Sequence, residues 1–434
     1  MTLHLNYENW KLERFQYPDD CFSAAAPAPV DGIHSFHTSN TDLTLDFLAK
    51  GFYDEDRKSQ CFLVVFSGAI SEQTRASASA PFFSGAGLAG NTRLPLLSIS
   101  DPTLALDSGL TLGWYAGNAQ TTDLLSIIAK NIDRVASCTG LQPVLIGGSG
   151  GGYAAINIAA RLDCAATAIV WNPQTSIGRY YAQAGRRYIE AAYPEIAIPP
   201  GSTNSQKEFQ EFLDQAVDTT RHHLPSAESI DSRHKIIFLQ NRSDVFHMSK
   251  HAGPWLNTTK FQSVDRNAFQ NSKGNILLFI GDWGQGHAPA PASFVAALIP
   301  PVNAGMTLLQ IASQHLSNSQ YSAAKAFHWL AVRPPTLKDF TFRQRVDGVD
   351  IHLDVSVSTN LGAESDFEYA CYLYDGPQRI AHNWYRPSPN MTFKDISSCG
   401  PLTAKLYLRD QLGAIKAVSK SLQKNSDIGA SHQA

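Results

Sequence analysis

The chain has 434 residues, which is enough for more than one domain. Its formal net charge is only −3, which argues against a nucleic-acid-binding protein. No apolar run approaches the roughly 18 residues that a membrane span requires, and the acidic first residues lack the apolar segment of a signal peptide. The six scattered cysteines form no CxxC pair, so we expect free thiols, no metal site and a cytoplasmic protein.

The first half of the chain predicts an α/β architecture. Residues 1–31 end in a run of small residues and prolines and are interpreted as an irregular N-terminal arm. Across residues 32–333 short apolar runs alternate with helical patterns, which indicates a mainly parallel sheet with helices on both faces. The runs typical of buried strands are 61–66, 94–100, 144–146, 167–171, 235–240 and 275–280.

Two segments depart from this alternation. Residues 176–232 hold two polar helical patterns, and we interpret them as a helical insertion that acts as a lid. Residues 340–422 alternate apolar and polar side chains between turn signals such as Asp347-Gly348 and Asp375-Gly376, which predicts a small all-β sandwich domain. The polar residues 423–434 are expected to form a disordered tail.

The segment VLIGGSGGGYAAINIAARL carries the strongest chemical signal. Its glycines surround Ser149 between an apolar strand and a helix of small residues, as in the G-x-S-x-G nucleophile elbow. Side chains at Gly147 and Gly151 would collide with the flanking strand and helix, which explains the small neighbours. A phosphate-binding loop is the alternative, but the Lys-Ser/Thr ending of such a loop is absent. Ser149 is therefore the predicted nucleophile.

A serine hydroxyl needs a base, and the base needs an orienting acid. The chain supplies these in the order that this fold uses, with Asp244 after the strand at 235–240 and His287 in the glycine-rich loop after the last core strand. Asp282 is a second candidate for the acid. His247 and His251 follow Asp244 at helical spacing, so a metal site formed by these three residues is an open alternative.

The remaining candidate residues follow other strand ends. The oxyanion hole requires two backbone N–H groups, for which we predict Gly150 together with either Gly68 or Ala69 in the loop after the strand at 61–66. Asn172 and Gln174 follow the strand at 167–171 and are predicted to contact substrate, because ligands bind outside the carboxyl ends of parallel strands.

The elbow, the order of acid and histidine, and the strand spacing together resemble the α/β-hydrolase superfamily over residues 32–298. This resemblance implies an acyl-serine mechanism that uses no cofactor. The overall layout is more distantly similar to bacterial accessory-secretion proteins of the hydrolase fold that O-acetylate surface glycans. The HGGG-type oxyanion motif of common esterases is absent, so the motifs leave the substrate class open.

These observations predict a serine hydrolase that cleaves a small ester or an acylated glycan. Two alternatives remain open. One is an O-acyltransferase acting on a cell-surface glycan. The other is a non-catalytic protein that binds glycan through aromatic side chains of the β domain, namely Tyr369, Tyr372, Tyr374, Trp384 and Tyr385.

Overall fold

The computed structural model describes residues 3–18, 22, 28–37, 42–53, 59–199, 206–322, 337–347, 349–359, 367–386, 388–396, 401–410 and 415–422. The chain divides into two compact units, Met1–Phe327 and His328–Ala434. Among the helices of these ranges, none is both long and apolar enough to cross a membrane. Cys61, Cys138, Cys164 and Cys371 are free thiols, and the other two cysteines lie outside the described residues.

The first unit contains eleven strands and eleven short to medium α-helices in its described ranges. The strands are β1 (Arg14–Tyr17), β2 (Gly32–His37), β3 (Thr44–Lys50), β4 (Cys61–Phe66), β5 (Leu96–Ile99), β6 (Gln142–Gly148), β7 (Thr167–Trp171), β8 (Lys235–Asn241), β9 (Phe261–Asp265), β10 (Ala268–Asn271) and β11 (Ile276–Gly281). The helices are α1 (Glu72–Ser77), α2 (Ala86–Thr92), α3 (Leu124–Thr139), α4 (Gly150–Ala159), α5 (Ala182–Ala192), α6 (Gln206–Ala216), α7 (Thr219–His222), α8 (Val245–His247), α9 (Gly253–Leu256), α10 (Ala292–Asn303) and α11 (Leu308–Ile311).

All eleven strands belong to one sheet, in the order β1-β2-β3-β5-β4-β6-β7-β8-β11-β10-β9. The six central strands, in the order β5-β4-β6-β7-β8-β11, run parallel to one another. They are the six strands that the apolar runs predicted. Helices α2 and α10 pack on one face of the sheet, in an apolar core that includes Val144 and Ile146 of β6. Helices α3 and α4 also contact β6. The predicted α/β class is confirmed.

The strands at both edges of the sheet were not predicted. Strand β1 lies inside the expected irregular arm and pairs parallel with β2, with the Tyr17 ring stacked on Phe36 at 4.7 Å between centroids. Buried Asp46 on β3 anchors the same arm by accepting a hydrogen bond from the Tyr7 hydroxyl at 3.0 Å. Burial raises the pKa of Asp46 to about 6. The arm is too short and polar for a hydrophobic pattern to reveal its strand.

The described part of the insertion contains α5, α6 and α7. Its helices pack against one another, and the Tyr153 hydroxyl of α4 donates a hydrogen bond to the Arg221 carbonyl at 2.6 Å. Within the described part of residues 176–232, Tyr180 alone lines the cavity at the carboxyl edge of the sheet. The function of the insertion as a lid stays a prediction.

The second unit consists of two antiparallel sheets that share one core, which confirms the predicted small β domain. Its strands are β12 (Leu337–Asp347), β13 (Asp350–Thr359), β14 (Phe367–Asp375), β15 (Gln378–Arg386), β16 (Asn390–Phe393), β17 (Leu402–Asp410) and β18 (Ile415–Leu422). The sheets have the orders β12-β13-β16 and β15-β14-β17-β18. Leu353 of the first sheet and Leu406 of the second are buried in the same apolar cluster. The predicted tail at 423–434 lies outside the described residues.

The aromatic residues of this unit do not share one environment. Tyr369 is fully buried in the sandwich core, whereas 62% of Trp384 is exposed. Tyr372 and Trp384 meet edge to face at 5.9 Å between ring centroids, and Tyr385 lies under the Arg409 guanidinium. The five aromatics therefore do not form a single binding face.

Core packing of the β domain can be tested by truncating Leu406. Because Leu406 is fully buried, Leu406→Ala should lower the free energy of unfolding of this unit by about 2–5 kcal/mol. Val418 is 38% exposed, and Val418→Ala should change that free energy by less than about 0.5 kcal/mol. Equilibrium urea unfolding followed by circular dichroism compares the two variants, and equal effects would contradict the assignment of this core.

Candidate active site

Ser149 occupies the turn between strand β6 and helix α4. Its backbone has φ 53° and ψ −121°, a region that is costly for any residue with a side chain and is often retained at functional sites. The Ser149 N–H donates to the Trp171 carbonyl at 3.0 Å, and the Ser149 carbonyl accepts from Tyr153 N at 3.2 Å. Neighbouring structure on both sides thus holds the strained residue in place.

The glycines around Ser149 allow the strand and the helix to approach closely. A Cβ on Gly151 would lie 2.5 Å from the Phe66 carbonyl oxygen, and one on Gly147 would collide with the Gly151 backbone. A Cβ on Gly152 would lie 2.7 Å from Pro173 Cβ. These contacts explain the extended glycine run, and they agree with the collisions expected at Gly147 and Gly151.

The structure brings Asp244 and His287 together. Asp244 follows β8 and caps α8 by accepting from the His247 N–H at 3.2 Å, while its other oxygen lies 2.5 Å from His287 Nδ1. Because a carboxylate only accepts hydrogen bonds, His287 Nδ1 carries the proton. The Nε2 atom is then the ring nitrogen that can accept a proton.

A second imidazole shares the same carboxylate. His247 Nδ1 donates to Asp244 Oδ1 at 3.0 Å, and its ring stacks on His287 at 3.8 Å between centroids. Burial alone would raise the pKa of Asp244, but the hydrogen bonds from the two histidines outweigh it and hold this pKa below its ordinary value. Burial lowers the pKa of His247, which keeps that ring neutral. The pair of rings keeps Asp244 ionised.

The Ser149 hydroxyl has a buried amide as its partner. Gln174 Nε2 donates to Ser149 Oγ at 3.0 Å, and the Trp114 indole N–H donates to Gln174 Oε1, which fixes the orientation of the amide. Because Oγ accepts this bond, its own proton remains available to a base. No hydrogen bond between Ser149 and His287 occurs within the described residues, although both side chains line one cavity. Such bonds are often long before substrate binds.

The candidate oxyanion donors lie beside Ser149. Gly150 is the first residue of α4, where N–H groups have no partner within the helix. In the described structure neither Gly68 nor Ala69 donates its backbone N–H to a protein acceptor, and both line the cavity. The Tyr115 hydroxyl accepts from Ser67 N at 2.9 Å and so anchors the start of this loop. Gly68 and Ala69 remain equal candidates.

Asn172, one of the two predicted substrate contacts, makes hydrogen bonds within the protein. Its Nδ2 donates to the Ala288 carbonyl at 2.9 Å, and its Oδ1 accepts from Asn241 N at 2.7 Å. These bonds connect the end of β7 to the end of β8 and to the loop of His287. Gln174 is also fully buried and is not among the residues that line the cavity. Gln174 therefore supports the site from behind, whereas Asn172 also lines the cavity, and its contact with substrate stays a prediction.

Asn241 and His247 were missed as supports of the site. Asn241 Nδ2 donates to the carbonyls of Gly284 and Gly286, both at 2.9 Å, and thereby clamps the loop that carries His287. An amide directly after a predicted strand, three residues before the predicted acid, was a usable signal for this role. The helical spacing of His247 from Asp244 was noticed, but the hydrogen bond between their side chains was not predicted.

The rival residues take other positions. The Asp282 side chain is exposed, and its backbone N–H donates to the Tyr321 carbonyl at 2.8 Å. His251 Nδ1 accepts from Thr175 N at 3.1 Å, and His251 is not part of the cluster of possible ligand atoms that contains Asp244 and His247. The ligand atoms of Asp244, His247 and His287 do lie within 4.8 Å of one another, but the two hydrogen bonds to Asp244 account for this spacing.

Ser149 and His287 open into a cavity of about 970 Å³. Part of its wall comes from the N-terminal arm, since Trp10 lines it and donates its indole N–H to the Pro81 carbonyl at 3.0 Å. Asn6 N donates to the Ala80 carbonyl at 2.6 Å and holds the same stretch of the arm. The volume suits a drug-sized organic molecule.

Neither a protein-family model nor a curated protein matches the chain. Similar solved structures include the capsule O-acetyltransferase of Neisseria meningitidis serogroup A, at 13% identity over 64% of this chain and 96% of that chain, with a TM-score of 0.41. An alpha/beta hydrolase from Sphaerobacter thermophilus shares 13% identity over 64% and 98%, with a TM-score of 0.31. The acylaminoacyl peptidase of Pyrococcus horikoshii shares 12% over 67% and 42%, with a TM-score of 0.34.

All three TM-scores lie below 0.5, so the fold is assigned from the topology of this chain and not from these likenesses. The mainly parallel sheet, the elbow between β6 and α4, and the later positions of acid and histidine after β8 and β11 constitute an α/β-hydrolase fold. The expected resemblance to that superfamily is thus confirmed at the level of fold.

The crowding at the elbow predicts opposite effects at two glycines. Gly151→Ala forces a methyl group against the Phe66 carbonyl and should lower the free energy of unfolding by roughly 1–3 kcal/mol, with loss of the elbow geometry. Gly90→Ala in α2 meets no atom within 4 Å and should raise that free energy by up to about 1 kcal/mol. Thermal unfolding of both variants gives the signs, and an unaffected Gly151→Ala protein would contradict the packing argument.

His247→Phe tests the second imidazole, because phenylalanine keeps a stacked ring but removes the hydrogen bond to Asp244. At neutral pH the variant should lose about 1.5–3 kcal/mol of unfolding free energy, as expected for a bond to a charged group. His247 and Asp244 both have lowered pKa values, so the unfolded chain binds more protons than the folded one in acid.

The advantage of wild type over His247→Phe should therefore shrink below about pH 6.5, where unfolded histidine protonates, and again below about pH 4. Urea unfolding at a series of pH values measures this difference. A difference that stays constant or grows towards acid would show that the hydrogen bond to Asp244 does not act as described.

Proposed function

We propose that this protein is a serine hydrolase that cleaves carboxylic esters, with Ser149 as nucleophile, His287 as general base and Asp244 as the residue that orients the base. The observation that carries this proposal is the joint position of Ser149 and His287 on one cavity, with His287 held by Asp244 at 2.5 Å. A histidine oriented in this way presents an unprotonated Nε2 to the site.

The reaction follows the two halves of acyl transfer through serine. Ser149 Oγ attacks the ester carbonyl carbon while His287 Nε2 takes the hydroxyl proton, and the tetrahedral intermediate collapses when the alcohol leaves with that proton. Water then gives its proton to His287 and its oxygen to the acyl carbon. The acid is released, and Ser149 regains its proton.

The protein stabilises the charges that develop on this path. The proposed oxyanion donors are the N–H of Gly150, at the N-terminus of α4, and the N–H of Gly68 or Ala69, which line the cavity. The ionised Asp244 stabilises the positive charge that His287 gains. Gln174 donates to Ser149 Oγ and so directs the hydroxyl proton away from itself.

Hydrolysis is favoured over transfer of the acyl group to another alcohol. The side chain of His287 is 41% exposed, so water can reach this base, which removes a proton from water in the second half of the reaction. Transfer to a glycan hydroxyl would use the same acyl-enzyme with a sugar in place of water. Product analysis with and without glycan acceptors distinguishes the two reactions, because transfer yields an acylated glycan and hydrolysis yields the free acid.

A fluorophosphonate probe and nitrophenyl esters test the proposal together. Wild type should react with the probe at Ser149 and release nitrophenol, whereas Ser149→Ala should take up no probe and lose activity by at least about 10³-fold. His287→Ala should show a comparable loss. Ser293→Ala changes an exposed serine of α10 and should match wild type.

The readouts are peptide mapping of the labelled protein and absorbance of released nitrophenolate. Circular dichroism verifies that each variant is folded. A folded wild type that neither reacts with the probe nor hydrolyses any ester, or a Ser149→Ala variant with full activity, would overturn the proposal.

A further inference from the structure

The cavity at Ser149 extends away from the sheet edge into apolar structure. Helix α2 contributes Leu88 to its wall, α10 contributes Val295, and strands β4 and β6 contribute Val65 and Ile146. These four residues belong to, or pack against, the apolar core on one face of the sheet. The cavity that contains the nucleophile therefore has an apolar side, which we call the recess, while hydroxyl and amide side chains such as Ser71, Thr74 and Asn9 line other parts of it.

The cavity is uncharged. Its lining residues, all within the described ranges, include no aspartate, glutamate, lysine or arginine, and their ionisable side chains are those of His287 and Tyr180. Recognition of phosphate or of a carboxylated sugar needs cationic or multiple N–H donors. An apolar wall of this kind instead favours ligands that lose contact with water on binding.

The volume of the cavity favours a ligand larger than an acetyl ester. An acetyl group would leave most of about 970 Å³ unfilled, and unfilled apolar space contributes no binding energy. A longer apolar acyl chain would fill the recess beside Val65 and Ile146 while its carbonyl carbon remains at Ser149. Each added methylene group buried in this way improves transition-state binding by roughly three- to fourfold.

We propose that this recess is an acyl-binding pocket for uncharged esters whose acyl group is an apolar chain longer than butanoyl. The proposal rests on the serine hydrolase function and deepens it by naming the substrate class. It also predicts that acyl-CoA thioesters, whose phosphates find no cation along the recess, are poor acyl donors.

Two glycines of α2 provide a matched pair for the test. A Cβ built on Gly87 or on Gly90 meets no atom within 4 Å, and both residues are exposed, so either position accepts a side chain without collision. Gly87 lines the cavity and Gly90 does not. Gly87→Phe therefore narrows the recess, while Gly90→Phe controls for the effect of a new aromatic ring on α2.

The experiment measures kcat/KM for nitrophenyl acetate, butanoate, hexanoate and octanoate with wild type and both variants. For wild type we expect kcat/KM to rise by roughly three- to fourfold per methylene group up to octanoate. Gly87→Phe should lower the ratio of the octanoate value to the acetate value by about tenfold or more, which is the contribution of roughly two buried methylene groups. Gly90→Phe should follow wild type throughout.

A preference of wild type for acetate, or equal effects of the two variants on octanoate, would overturn the acyl pocket. If octanoyl-CoA were hydrolysed as efficiently as nitrophenyl octanoate, the restriction of the substrate class to uncharged esters would be overturned. Fluorophosphonate labelling of Ser149 separates this failure from that of the proposed function. Labelling of Ser149 together with a preference for acetate would overturn only the acyl-pocket proposal. Absence of both labelling and turnover would overturn the serine hydrolase proposal as well.

Discussion

The buried carboxylate of Asp244 is the interaction on which the candidate site depends. It accepts hydrogen bonds from His287 at 2.5 Å and from His247 at 3.0 Å, and both bonds favour its ionised form against the cost of burial. The same carboxylate caps α8 through the His247 N–H. The Asp244 carboxylate therefore binds the His247 backbone, the His247 ring and the His287 ring at once. The orientation of His287 thus depends on the fold of the segment after β8.

The opposite side of the site is organised by steric crowding. The strained Ser149 backbone persists because the strand before it and the helix after it are packed more closely than any residue larger than glycine allows at Gly147 and Gly151. The buried amide of Gln174 and the anchored loop after β4 complete this rigid side. The cavity at Ser149, which includes the apolar recess, has no aspartate, glutamate, lysine or arginine among the described residues of its lining.

Much of this architecture was predictable from the sequence, for physical reasons that differ by residue. Ser149 could be predicted because the elbow demands glycines at fixed positions, and Asp244 and His287 because they follow buried strands with strong apolar patterns. The pairing of His247 with Asp244 depends on rotamers and tertiary packing, which a pattern of residue types does not encode. Strand β1 escaped prediction because edge strands are short and carry polar residues such as Arg14.

The central claim is that Ser149 forms a covalent acyl-enzyme. Rapid-quench mass spectrometry of the protein mixed with nitrophenyl octanoate, followed by peptide mapping, tests it most directly. The account predicts one octanoyl group per chain on the peptide that contains Ser149. Steady turnover without any acylated peptide, or with the acyl group on a different residue, would contradict it.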